Sequence, residues 1–195
     1  MRTEEITPIL KPSLCQAAAS QLVVIDIQTK LGAVMPAEVL ARVLEKAGVL
    51  LKAGTLLGIP VHVTEQYPRG LGPLEPSLAA LLPSGARRFG KTCFSCADAE
   101  GFLPALHSAQ RSQVFLIGME AHVCVLQTAF DLRERGIQVR VVEDAICSRR
   151  QDNYRNAVAR MQRAGIDLIS AESVLFEWLR DARHEHFKAI AALLG

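Results

Sequence analysis

The chain has 195 residues, with 22 Lys+Arg against 20 Asp+Glu, a formal net charge of +2, and half of its residues are hydrophobic. That length suits one ordinary α/β domain or two very small ones, and the composition excludes a disordered chain, which needs low hydrophobicity and a large charge imbalance. So small a charge gives no electrostatic reason to favour nucleic acid or an acidic membrane, and 5% aromatics is thin for a base-stacking platform.

No stretch approaches the roughly 18 apolar residues of a membrane-spanning helix. The opening Met1–Gln28 does not read as a secretory signal, because Glu4 and Glu5 stand where positive charge is expected and Ala17–Ile25 runs straight into Asp26. Five cysteines are too few, and odd in number, for a disulfide scaffold. An intracellular, reduced protein is expected, cytoplasmic or alternatively mitochondrial.

In chain order, Leu22–Ile27 is an apolar run rich in β-branched residues, the pattern of a parallel strand buried on both faces. Glu38–Leu57 follows with apolar residues at helical spacing and ends near Gly58-Ile59-Pro60. A second strand is read at Ile59–Thr64. Tyr67–Lys91 holds eight Pro and Gly residues and reads as largely irregular. Strand Val114–Ile117 leads through a turn at Gly118–His122 into a helix over Val123–Arg135, closed by Gly136. Strand Gln138–Val142, helix Asp152–Ala164, a weaker strand at Ile166–Ser170, and helices Ser173–Arg180 and His186–Leu194 complete the chain. This alternation predicts a single domain over 1–195 with a core of about 20–175, C-terminal helices at 173–194, and a parallel sheet with helices on both faces. The final helix places Phe187, Ile190, Ala191 and Leu194 on one face, against its own domain or a partner subunit.

Three residues carry candidate chemistry. Asp26 ends an apolar strand, where an ionised carboxylate either caps the turn Gln28–Gly32 or serves a crevice at the strand mouth. Cys124 lies in the first turn of a helix, where unpaired N–H groups and the dipole would favour a thiolate; it is otherwise a small buried hydrophobe. From Cys124 a polar stripe runs through Gln127, Asp131 and Arg135, opposite the core stripes Val123, Leu126, Phe130 and Val125, Ala129, Leu132. Lys91 is either a surface lysine or the cation that lets a buried aspartate stay charged.

Weaker signals are set aside. Cys93-Phe94-Ser95-Cys96 has redox spacing, but it follows a segment read as loop, whereas a thioredoxin-like site opens a helix after a strand. His184-x-His186 is too tightly spaced for structural zinc. His122 is two residues from Cys124, so their side chains do not share a helix face. Arg149-Arg150 reads as solvated surface, and neither a P-loop nor a dinucleotide glycine fingerprint is present.

The ordered set Asp26, Lys91, Cys124 resembles the catalytic triad of the isochorismatase-like cysteine hydrolases, and the isochorismatase domain-containing proteins in particular. The resemblance is carried by Val24–Gln28, Thr64–Gly72, Lys91–Ser95, Gly118–Ala129 and Val142–Ser148. It implies a three-layer α/β/α sandwich around a six-stranded parallel sheet, a Rossmann-like arrangement. Asp26 would take the Cys124 proton, Lys91 would support the charged pair, and the sulfur would attack a carbonyl to form a thioester that water hydrolyses. The backbone N–H groups of Glu120 and Cys124 would hold the oxyanion, after a cis peptide between Met119 and Glu120. Substrate contacts are expected from Glu65, Gln66, Tyr67, Met119 and His122. The nicotinamidases' Asp-x-His metal motif is replaced by Glu65-Gln66-Tyr67, so neither metal nor cofactor is expected and nicotinamide is disfavoured. Isochorismate is disfavoured too, because enzymes that use it lack the cysteine. The expected partners are a small-molecule substrate and further copies of the chain, as a dimer or larger homo-oligomer, with no nucleic acid or membrane. The alternative is a catalytically silent protein of this fold acting as an interaction module.

Overall fold

A computed structural model describes residues 13–195. Strand β1 (Ser20–Ile25) is followed by a single turn, α1 (Thr29–Gly32), and the long α2 (Ala37–Leu56). Then come β2 (Val61–Gln66), two single-turn helices α3 (Pro68–Leu71) and α4 (Pro76–Ala79), β3 (Arg87–Lys91) and α5 (Phe102–Ser108). Strand β4 (Gln113–Met119) runs through a π-helical turn at Ala121–Val125 into α6 (Leu126–Glu134). The chain closes with β5 (Gln138–Cys147), α7 (Gln151–Arg163), β6 (Asp167–Ile169), α8 (Ala171–Leu179) and α9 (Phe187–Ala191). No helix among the described residues is long and apolar enough to cross a membrane.

All six strands are parallel, in the order β3-β2-β1-β4-β5-β6. Side-chain alternation in β1 explains the layering. Leu22 and Val24 join α2 and α8 in one apolar core, while Val23 and Ile25 join α5, α6 and α7 in the other. The strand order reverses between β1 and β4, and the crevice beyond the carboxyl ends of such strands is where open α/β sheets bind ligands. Gly118 of β4 has φ 141°, and a Cβ there would fall on the Ile25 carbonyl oxygen. Its missing side chain lets β1 and β4 approach closely at that point.

Two elements lie where the sequence reads differently. The Pro/Gly-rich stretch contains edge strand β3, whose exposed residues give no apolar run. Helix α5, only seven residues long, is not among the elements the sequence predicts. Strand β5 extends five residues past Val142: its register against β4 jumps between Leu116 and Gly118, and this irregularity carries Glu143 and Asp144. The last helix packs on its own domain, with Ile190 buried and Phe187 and Leu194 against the α2–α8 core.

Candidate active site

The local chain geometry brings the three candidates to one end of the sheet. Asp26 immediately follows β1 and has φ 53°, a left-handed conformation that costs a non-glycine residue about 1 kcal/mol or more unless its surroundings hold it. Thr64 on β2 holds it twice. Its carbonyl accepts the Asp26 N–H at 3.1 Å, and its hydroxyl donates to Asp26 Oδ1 at 2.8 Å. Lys91, the last residue of β3, reaches across β2 and donates to Asp26 Oδ2 at 2.7 Å. Neither side chain of this ion pair has any solvent exposure.

The Lys91 ammonium is fully occupied. Besides Asp26 it donates to Gln66 Oε1 at 2.7 Å and to the Phe94 carbonyl at 3.1 Å, and three protons allow no more strong bonds. Burial alone would lower its pKa, but the negative charge of Asp26 leaves it raised and the ammonium charged. Its protons are committed to fixed acceptors of the protein. Gln66 is fixed at its other end by Nε2 donating to the Thr92 carbonyl at 2.8 Å, so its Oε1 faces Lys91 and lies 4.0 Å from Cys124 Sγ.

Cys124 sits in the π-helical turn, where the Glu120 carbonyl accepts from both Val123 and Val125. The wider turn breaks the α-helical phase that put Cys124 on a polar stripe, and the thiol is only 5% exposed. The expectation of a lowered thiol pKa is overturned. Burial first, and then the Asp26 charge, push it up, and Lys91 does not offset them. The resting group is a thiol.

The remaining expected residues separate. Glu65 Oε1 accepts the Leu74 N–H at 2.8 Å and ties down its own loop. Tyr67 has φ 38°, donates its N–H to the Lys91 carbonyl at 2.7 Å, and leaves its side chain 55% exposed beside Gly70. Met119 does not line the site: its side chain belongs to the α2–α8 core, since alternation along β4 points it there. His122 is engaged by its own neighbours. Its Nδ1 lies 2.9 Å from Ser148 Oγ and 3.2 Å from Glu120 Oε2, and Nε2 is 3.2 Å from Asn153 Nδ2. Both ring nitrogens are satisfied within the protein. The Met119–Glu120 peptide is trans, against the expected cis bond, as is every peptide among the described residues.

Cys93 and Cys96 follow strand β3, so the premise that they follow a loop was wrong; both thiols are free. Sequence reasoning missed Thr64 and Cys96 as parts of the site. Cys96 is fully buried and donates to Thr64 Oγ1 at 3.5 Å, and burial pushes its thiol up to about 11. A hydroxyl inside a buried strand was the available signal. Among the described residues no group of three or more His, Cys, Asp or Glu is arranged to hold a metal ion.

The family model of the isochorismatase domain matches residues 20–173. The chain belongs to the isochorismatase family. Mouse isochorismatase domain-containing protein 2A is 41% identical over 158 residues, 78% of this chain and 72% of that protein. Among solved structures, the MAR1 ribonuclease of Caenorhabditis elegans has TM-score 0.88 and 35% identity, covering 93% of this chain and 92% of that one. The Escherichia coli YcaC gene product, described as an octameric hydrolase of unknown specificity, has TM-score 0.84 and 26% identity, with 94% and 91% coverage. YcaC from Pseudomonas aeruginosa, solved with covalent acrylamide, has TM-score 0.83 and 26% identity, with 94% and 92% coverage. Family membership explains the shared α/β layering of this isochorismatase-domain chain and marks it as hydrolase-like.

Proposed function

We propose that the chain is a cysteine hydrolase that acts on a small amide, carbamoyl compound or related acyl substrate through Asp26, Lys91 and Cys124. The observation that carries this reading is the buried Asp26–Lys91 pair, linked through Gln66 to a position 4.0 Å from Cys124 Sγ. The thiol gives its proton to Asp26 as sulfur bonds the substrate carbonyl carbon, and the carbonyl oxygen becomes an oxyanion. Collapse breaks the C–N bond, and Asp26 returns the proton to the departing amine. Water then attacks the thioester with Asp26 again as base, releasing the acid and restoring the thiol. Lys91 keeps Asp26 ionised while both are out of water. The Glu120 and Cys124 N–H groups are the proposed oxyanion donors. The Glu120 N–H donates to no carbonyl of the described chain, which supports its part. No step is routed through a metal. Assembly into a homo-oligomer is proposed alongside, supported by the octameric relative.

The raised thiol pKa favours this concerted removal of the proton over a preformed thiolate. The covalent acrylamide in the Pseudomonas aeruginosa relative supports a reactive nucleophile in this fold. The test is acid-quenched mass spectrometry during turnover of a panel of primary amides and carbamoyl compounds. An acyl adduct on Cys124, absent in Cys124→Ala, is expected; turnover that survives in Cys124→Ala overturns the reading. The name of the Caenorhabditis elegans relative makes RNA the second substrate to try. RNA cleavage that persists in Cys124→Ala would move the activity to other residues.

A further inference from the structure

The Asp26 carboxylate is held from a side the triad does not include. A carboxylate only accepts, so the hydrogen bond of 2.8 Å to Asp26 Oδ1 uses the single proton of the Thr64 hydroxyl. Thr64 Oγ1 is left as an acceptor, and the Cys96 thiol donates to it at 3.5 Å. Cys96 is set in turn by its own N–H, which donates to Thr128 Oγ1 at 2.9 Å. The line therefore runs one way, from thiol to hydroxyl to carboxylate. Thr64, Cys96 and Thr128 are all fully buried, away from bulk solvent. With Lys91 on Oδ2, both carboxylate oxygens are fixed and the plane of the group cannot turn.

We propose that Thr64, oriented by Cys96 behind it, is a positioning residue that aims the Asp26 carboxylate at the Cys124 thiol. This rests on the reading of Asp26 as the base. The hydroxyl supplies a charge-assisted hydrogen bond that stabilises the anion, and the Thr64 carbonyl holds the left-handed backbone at Asp26. Cys96 contributes by keeping the hydroxyl proton pointed at Asp26 rather than elsewhere.

The experiment is site-resolved acrylamide alkylation of Cys124, followed by mass spectrometry across a pH series. It compares the unmodified chain with Thr64→Val, Thr64→Ser and Cys96→Ala. Thr64→Val should slow labelling of Cys124 by about tenfold to a hundredfold and move its acidic flank to higher pH, because the carboxylate has lost a donor. Thr64→Ser keeps the hydroxyl and should restore both the rate and the flank, which a merely structural role for the methyl group would not do. Cys96→Ala should fall between them. Thr64→Ala, which leaves space rather than an apolar branch, is the second variant should Thr64→Val fail to fold. An unchanged rate and flank in Thr64→Val or Thr64→Ala overturns the inference while leaving Asp26 and Cys124 in their roles. If Cys124 of the unmodified chain labels no faster than the more accessible Cys93, the proposed function itself fails before any variant is compared.

Discussion

The Lys91 ammonium lies 2.7 Å from Asp26 Oδ2, and neither side chain reaches solvent. Removing two charges from water is costly, and a hydrophobic pair of similar volume would serve stability as well or better. Such a pair in the mouth of the sheet fits the proposed function, in which Asp26 is the base for a thiol that burial holds protonated.

Breaking that pair on one side should be expensive. Lys91→Met leaves Asp26 buried and unpaired, with an expected loss of about 3–5 kcal/mol in urea unfolding. The double variant Asp26→Leu/Lys91→Met should recover most of that stability and none of the activity. If the single variant is as stable as the unmodified chain, the pair is not buried in solution.

Cys124→Ala should behave differently. The thiol's hydrogen bond to Gln66 Oε1 is long, at 4.0 Å, and alanine keeps most of the small side chain's volume, so unfolding stability should change by about 1 kcal/mol or less. Turnover of any accepted amide should fall by at least about 10³-fold. Parallel urea titrations and rate measurements separate the two effects.

Gly118→Ala tests the close approach of β1 and β4. The new Cβ would meet the Ile25 carbonyl oxygen at a φ of 141°, and both strain and overpacking oppose it. A loss of about 3 kcal/mol or more is expected in thermal or urea unfolding. A near-neutral result would mean that the two strands are further apart than described.

His62 should make folding sensitive to acid. It is 2% exposed and packs beside the touching rings of Phe89 and Phe102; burial, followed by the Arg87 charge, lowers its pKa from 6.5 to about 4. Gln21 donates its amide to the Leu106 and Arg111 carbonyls, so its Oε1 must accept, and His62 Nε2 carries the proton. The unfolded chain protonates this ring from about pH 6.5 downward while the folded chain resists until about 4. Stability is therefore complete above pH 6.5 and is lost as pH falls through 4, by up to about 3 kcal/mol. Unfolding midpoints measured between pH 7 and 4 should decline in the unmodified chain and flatten in His62→Gln.

Much of this could be read from the sequence because the signals were local. The apolar run before Asp26, the Gly118–Cys124 turn and the two-sided helices follow from periodicity, and the resemblance supplied Lys91 as their companion. Strand β3 escaped notice because an edge strand need not be apolar. The role of Thr64 depends on the pairing of Ile25 with Thr64 across β1 and β2, which spacing along one chain does not reveal. Met119 was misplaced for a related reason. Side-chain direction at the end of β4 is set by strand alternation and by a π-helical turn that carries no sequence signature. The thiol's charge state was misjudged because helix position was weighed without burial, which here dominates.

The most direct measurement needs no variant and no known substrate. Acrylamide is added to the unmodified chain at neutral pH, and the order in which its cysteines are modified is followed by peptide mapping. Cys124 is 5% exposed, Cys93 is more accessible, and Cys15 and Cys147 are buried. Accessibility alone would modify Cys93 first. An Asp26-assisted nucleophile predicts that Cys124 reacts ahead of all the others; if Cys93 leads and Cys124 lags with Cys15 and Cys147, the account is contradicted.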